Sequence, residues 1–403
     1  MTKTIFLWVT IMGTLTGFSA EKSLTLTQAL VLAEKNSPEL RAAKLYVQSA
    51  KKSINAAGLW LNPTVEMTAE NIGFDNDLFS QGEYTVGVEQ EFQRGQKQKL
   101  DRTVATKVLS VEKQTFFKKR LRLHEQIFRS FFEVIAENKM VAIRTEQVKL
   151  ASRFVEVAKQ RYKSGGNSEL DLIQAELALA ETVILKTTEE NTLKAKQELL
   201  ASFIGISVTN LPALNETFEQ LGSVKDFTLS DSHPSLQYLT AEVAKMQSMA
   251  RRARAEDSAN ISAGAGYRYD ADSERNTFLV SLSMPLSFSK RGRTEEAAGL
   301  LKANAIRAEY DETYRQLQQE LTLLRIQYNA KKMQAKRVKT TLIPKAERAY
   351  EVSQKGYKLG RFSWVELIAA QQALVRVRIN YINYLRDAHL LRAQLLKFKP
   401  EGK

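Results

Sequence analysis

The sequence predicts a mainly α-helical protein with a small β part, assembled from two copies of one subdomain. The first observation behind this is a repeat: residues 161–175 recur 195 positions later as residues 356–370, with Tyr162 matching Tyr357, Gly165 matching Gly360, Ser168 matching Ser363, Asp171 matching Glu366 and Ile173 matching Ile368. The second is length without breaks, since no proline occurs in 95–162 or in 291–342. The third is a pair of period-two runs in each half, placed between a shorter helix and the long proline-free one. A unit this long exceeds the roughly 20 to 50 residues of a solenoid repeat, so the halves read as fused copies related by pseudo-symmetry.

Residues 1–20 carry Lys3, an apolar stretch over 5–15 and then Gly17-Phe-Ser-Ala, the pattern of an export signal cleaved after Ser19 or Ala20. The apolar run is about half the roughly 20 residues that a membrane-spanning helix needs. The chain has no cysteine, which excludes disulfides, thiol catalysis, thiolate metal sites and a lipid on an N-terminal Cys. Its net charge of +14 loses only Lys3 with the signal. The basic residues are dispersed through Glu- and Gln-rich helical stretches without interleaved aromatics, which reads as solvated helix faces and argues against nucleic acid as a partner.

The first repeat, 21–204, begins with a leading helix over 27–57, followed by a β-hairpin over 64–92. In that hairpin Val65, Met67 and Ala69 alternate with Thr64, Glu66, Thr68 and Glu70, and Tyr84, Val86 and Val88 alternate with Thr85, Gly87 and Glu89. The long helix over 95–162 would reach about 100 Å at 1.5 Å per residue. Its apolar residues Phe117, Leu121, His124, Phe128, Phe131, Phe132 and Ile135 run at coiled-coil spacing. A tip at 163–168 reverses the chain: Gly165 ends the helix, and Ser168 followed by Asp171 is a capping box opening the return helix 168–201.

An irregular segment, 205–231, with Pro212 and several Ser, Thr and Asn residues, follows as a belt or linker outside the helices. The second repeat, 232–403, runs in the same order: leading helix 234–254, β-hairpin 260–288, long helix, tip 358–363 with Gly360, Ser363 and Glu366, and return helix 363–398. Pro344 should kink the second long helix or start a new segment before the tip. Four strands of 8 to 10 residues with one apolar face fit transmembrane β geometry, yet four cannot close a barrel. An open edge is not tolerated in lipid, so several chains must contribute, and three would give the twelve strands of an aqueous channel.

Taken in order, these features resemble the TolC-like outer-membrane efflux proteins over essentially the whole mature chain. The stretches 24–43, 57–64 (Ala-Gly-Leu-Trp-Leu-Asn-Pro-Thr) and 70–73 (Glu-Asn-Ile-Gly) are most similar to the heavy-metal efflux branch. The resemblance implies a homotrimer in the outer membrane of a Gram-negative-type envelope, with a twelve-stranded barrel in the lipid and an α-helical tunnel across the periplasm. It implies docking of the hairpin tips, Tyr162, Gly165, Ser168, Gly360, Ser363 and Glu366 among them, to a periplasmic adaptor served by an inner-membrane pump of the proton-driven type. It also implies a gate at the closed tunnel end, with Tyr357 and Asp171 at the family's Tyr and Asp positions. The family's Arg position falls on Phe362, with Arg361 one residue away. Capping alone is a sufficient account of Asp171 and Glu366.

No catalytic, cofactor or metal residues are indicated, because His124, His233 and His389 lie far apart and no His/Asp/Glu cluster has ligand spacing. Such a conduit is not an enzyme and needs no cofactor, the energy coming from the pump. Metal cations are the cargo that the resemblance favours. Organic toxicants and type I protein secretion use similar conduits, and a non-transporting periplasmic coiled-coil scaffold is the rival that the strand pairs oppose.

Overall fold

A computed structural model describes residues 23–72, 82–165, 168–286 and 288–398. The expected signal segment, most of the 71–81 loop and part of the first tip lie outside them. The elements run β1 (Ser23–Leu24), α1 (Leu26–Asn36), α2 (Pro38–Ala56), β2 (Thr64–Glu70), β3 (Glu83–Phe92), α3 (Lys97–Lys163), α4 (Glu169–Ile204), β4 (Ala213–Leu214), α5 (Pro234–Arg254), β5 (Ile261–Asp270), β6 (Arg275–Ser283), α6 (Arg291–Arg337), α7 (Ile343–Lys358) and α8 (Trp364–Leu395). All four expected strands and both long helices are present, and α3 is a single helix of 67 residues.

The leading helix expected over 27–57 is two helices. Pro38 occupies the first turn of α2, and Ser37, held extended ahead of the proline, accepts a hydrogen bond from the Leu40 amide at 3.3 Å. His233 and Pro234 start α5 in the same way, so the repeat conserves the break while α1 has no helical partner ahead of α5. Pro344 also starts a new segment. A π-helical turn, Val338–Leu342, separates α6 from α7, and the Ile343 amide bonds the Val338 carbonyl five residues back. The wider turn accommodates a ring that would collide with the carbonyl four residues earlier in an α-helix. One residue of the expected α3 seam is misplaced, since Phe117 is exposed and Leu123 and Ile127 are buried nearby instead.

The chain folds into two compact units, each drawing on both sequence halves. One comprises 37–126, 222–336 and the end of the chain from 387. Here the strands form one antiparallel sheet in the order β2-β3-β5-β6, so the two hairpins are joined through β3 and β5. Its register places Val65, Val88, Ala265 and Val280 in one row and Met67, Val86, Tyr267 and Phe278 in the next, on a single face. The opposite face carries Glu66, Gly87, Gly266 and Leu279, then Thr68, Thr85, Arg268 and Thr277. Arg268 bonds the Thr85 hydroxyl at 3.0 Å and the carboxylates of Glu83 and Glu70 at 2.5 and 3.4 Å. The helices of this unit pack through Leu40, Leu236, Leu321 and Leu395, and the Tyr328 hydroxyl donates to the Gly222 carbonyl at 2.6 Å.

The other unit comprises residues up to Asn36, 127–221 and 337–386. Its core follows α3 through Ile127, Phe131, Val134 and Ala136. The irregular segment is anchored here, since β4 pairs in parallel with β1 and the buried Phe218 stacks on Phe132 at 6.4 Å. Glu137, nearly fully buried, is held by Lys196 at 2.6 Å. Burial and the adjoining Glu137 carboxylate push the Glu189 carboxyl above its ordinary range.

His233 generates a pH prediction. Its Nδ1 accepts from the Ser235 amide at 3.2 Å at the start of α5, its ring lies against Phe398, and burial, with help from Lys397 and Lys118, pushes its pKa down to about 4. A depressed histidine contributes stability that is whole above the unfolded value near 6.5 and is lost as pH falls towards 4. His233→Asn keeps a capping side chain without the titration. Thermal unfolding between pH 7.5 and pH 4 should therefore show the wild type losing about 2 kcal/mol more than the variant, solvent screening included. Equal losses would place the acid sensitivity elsewhere.

Candidate functional site at the hairpin tips

Both chain reversals lie in the second unit, and each is built from a left-handed glycine followed by a serine cap. At the first, α3 ends at Lys163 and the Gly165 amide, with φ of 73°, bonds the Tyr162 carbonyl at 3.1 Å. Ser168 then caps α4. Its hydroxyl accepts from the Asp171 amide at 3.3 Å while the Asp171 carboxylate accepts from the Ser168 amide at 3.2 Å. At the second, Gly360 has φ of 69° and its amide bonds the Tyr357 carbonyl at 3.1 Å. The Glu366 carboxylate accepts from the Ser363 amide at 2.7 Å and from the Ser363 hydroxyl at 2.9 Å, and this holds the Glu366 carboxyl below its ordinary range. The duplicated sequence thus gives duplicated caps.

The tips then diverge. In the second, the amides of Arg361 and Phe362 both reach back to the Gly356 carbonyl, at 2.8 and 3.4 Å, and the Phe362 ring lies against the Gly356 α-carbon. A Cβ at position 356 would come within 2.0 Å of Phe362 Cδ2, so only glycine admits the ring. The first copy has Arg161 at the matching position. The Arg161 guanidinium stands 4.5 Å from the Tyr357 ring centre and donates from Nη2 to the Tyr357 carbonyl at 3.2 Å. Beneath it, Trp364 meets Phe154 edge-on at 5.3 Å and Tyr357 at 5.9 Å, over Ala158, Ala175 and Leu367. One apolar cluster therefore joins α3, α4, α7 and α8. Farther along the helices, Arg378 bridges Glu146 at 3.0 Å and Glu347 at 2.9 Å.

The expected gate residues occupy different environments. Tyr357 is only 5% exposed and its hydroxyl has no hydrogen-bond partner, so it is not bonded to Asp171. Asp171 is engaged with Ser168, and Arg361 is exposed. Tyr162, the repeat counterpart of Tyr357, is 43% exposed. The residues that join the two hairpins, Arg161, Phe154 and Trp364, were not singled out from sequence. Arg161 opposite Gly356 is one of several mismatches between the two tips, so the repeat alone does not single it out.

Among the described residues no group of three or more acidic or histidine side chains is arranged to hold a metal ion. No described helix is long and apolar enough to cross a membrane.

Residues 29–205 and 228–398 match the family described as outer membrane efflux protein, and the gap falls within the irregular segment. The cobalt-zinc-cadmium resistance protein CzcC of Cupriavidus metallidurans is 22% identical over 370 residues, covering 91% of this chain and 87% of the relative. Among solved structures, the outer membrane protein VceC of Vibrio cholerae superposes with a TM-score of 0.75 at 15% identity, covering 94% of this chain and 97% of that one. CusC superposes with a TM-score of 0.75 at 14% identity, covering 91% of each chain. The resemblance read from the sequence holds over the same span, and the chain belongs to the outer membrane efflux protein family, whose members are channels and not enzymes.

Proposed function

We propose that this efflux channel is the outer-membrane component of a tripartite system, passing metal cations outward as a passive conduit. Three copies complete a twelve-stranded barrel, the hairpin tips meet a periplasmic adaptor, and a proton-driven inner-membrane pump supplies the energy. The observation that carries the reading is the sheet: its strands have one mainly apolar face, interrupted at Gln90 and Asn276, and its edge strands β2 and β6 each pair on one side only among the described residues. Val280 and Phe278 on β6 are 89% and 84% exposed, an arrangement that suits lipid and not water. In a bilayer both edges need partners, and copies of the same sheet supply them.

Cargo charge is favoured by the other face. With the apolar rows turned to lipid, the interior takes Glu66, Glu70, Glu83, Glu89, Glu91 and Asp270 against Arg268 and Arg275. An acidic lining inside a basic chain raises the local concentration of cations and excludes anions. The name of the Cupriavidus relative, a cobalt-zinc-cadmium resistance protein, agrees in charge.

Two measurements test this. In planar bilayers under a salt gradient, the reversal potential should have the sign of cation selectivity and move towards zero in a Glu66→Gln, Glu89→Gln double variant. An anion-selective wild type removes the cation reading. Placing a charge on the lipid face with Val280→Arg should cost about 2–4 kcal/mol per chain, seen as loss of heat-resistant trimer from the outer-membrane fraction. Unchanged trimer would mean that this face does not meet lipid.

A further inference from the structure

The geometry points to Arg161 as the cation that latches the two hairpin tips to each other, in place of an arginine on the second tip. The inference rests on the channel reading and deepens it by naming the contact that must break when the tips part.

Three features of the two tips support it. Phe362 is committed to its own turn, with its ring seated on Gly356 and its amide on the Gly356 carbonyl, and Arg361 beside it is exposed. Arg161, on α3, instead reaches across to α7 and makes two different contacts with one residue: its guanidinium lies over the Tyr357 ring, 4.5 Å from its centre, and its Nη2 donates to the Tyr357 carbonyl at 3.2 Å. A guanidinium can do both at once, with several donors arranged in its own plane. Finally, the two copies differ at this position, with arginine in the first and glycine in the second, and the glycine is what makes room for Phe362. An arginine at 356 would displace that ring, so the two tips are differentiated as donor and acceptor of one contact.

The same geometry removes the Tyr357 hydroxyl from the latch. It is enclosed without a hydrogen-bond partner, so the ring face and the backbone carbonyl are what Tyr357 contributes. Trp364, Phe154 and Ala158 form the apolar floor, and Ala158 is 1% exposed while the latch is closed.

The absence of native cysteine allows a direct test on the full-length channel in detergent. A single Ala158→Cys reporter should react slowly with a maleimide in the parent. It should react roughly tenfold faster when Arg161→Ala is added, the factor expected for loss of a cation–π contact with its hydrogen bond. Arg361→Ala and Tyr357→Phe should leave the rate unchanged, and Arg161→Lys should fall between. In planar bilayers, Arg161→Ala without the reporter should raise the small resting conductance several-fold, while Arg361→Ala and Tyr357→Phe stay at the wild-type value. The latch is overturned if the reporter is equally protected in Arg161→Ala. It is overturned as a gate if protection falls and conductance does not rise, or if Arg361→Ala or Tyr357→Phe opens the channel instead. A wild type that forms no channel under any variant sinks the conduit reading, and the labelling result still decides whether Arg161 holds the tips.

Discussion

Backbone hydrogen bonding at the two edges of the β-sheet is the constraint from which the rest of the protein's organisation follows. Among the described residues, the four-stranded sheet leaves one row of amides and carbonyls on β2 and another on β6 without strand partners. In water such edges are a liability, and in hydrocarbon each unmatched group costs several kcal/mol. On the function proposed above, the apolar face of the same strands meets lipid, and other copies of the chain would match the edges. The pairing of β3 with β5 already joins the two halves of one chain by the same logic. In the trimer proposed above, duplication within the chain and assembly between chains would be two uses of one edge-to-edge contact.

Among the helices, α3 runs for 67 residues without a break. Its partner in the second half does have one, at Pro344, and the π turn ahead of it keeps α6 and α7 continuous at the cost of one altered hydrogen-bond register. Lys339 on that turn pairs with Glu219 of the irregular segment and lies near the Tyr381 ring. Lys339 holds the Glu219 carboxyl below its ordinary range. The irregular segment is therefore fixed where the helix geometry is least regular.

Much of the fold is legible in the sequence, for identifiable reasons. Strand positions follow from alternation at Val65, Met67, Val86 and Val88, because a period of two is unambiguous where one face is mainly apolar. The tip caps followed from Gly165 with Ser168 and Asp171, and from Gly360 with Ser363 and Glu366, because capping is local chemistry. The break at Pro38 was missed because proline is also at home in the first turn of a helix, and Ser37 was not read as a cap. Phe117 was placed in the seam because a three-to-four spacing persists through exposed turns. The site itself was read least well. Arg161 and Tyr357 lie 196 residues apart, and a contact between a cation and a ring face leaves no spacing in the sequence.

The size of the tip contact bears on how such a channel could open. A cation–π pair with one hydrogen bond is worth about 1 to 3 kcal/mol, and in a trimer it would occur three times. Moving an equilibrium from 1:99 to 99:1 takes about 5.5 kcal/mol of differential binding. Three such contacts are of the size needed to hold the tips closed in the free channel, and a partner that binds the parted tips better by the same amount suffices to open them. The exposed Tyr162, Leu170 and Leu359 beside the turns offer apolar surface for a partner of that kind, next to the buried Tyr357 on which Arg161 rests. A closed resting state and a ligand-driven open state then need no source of energy within the chain, only two surfaces of comparable worth at the same end of the hairpins.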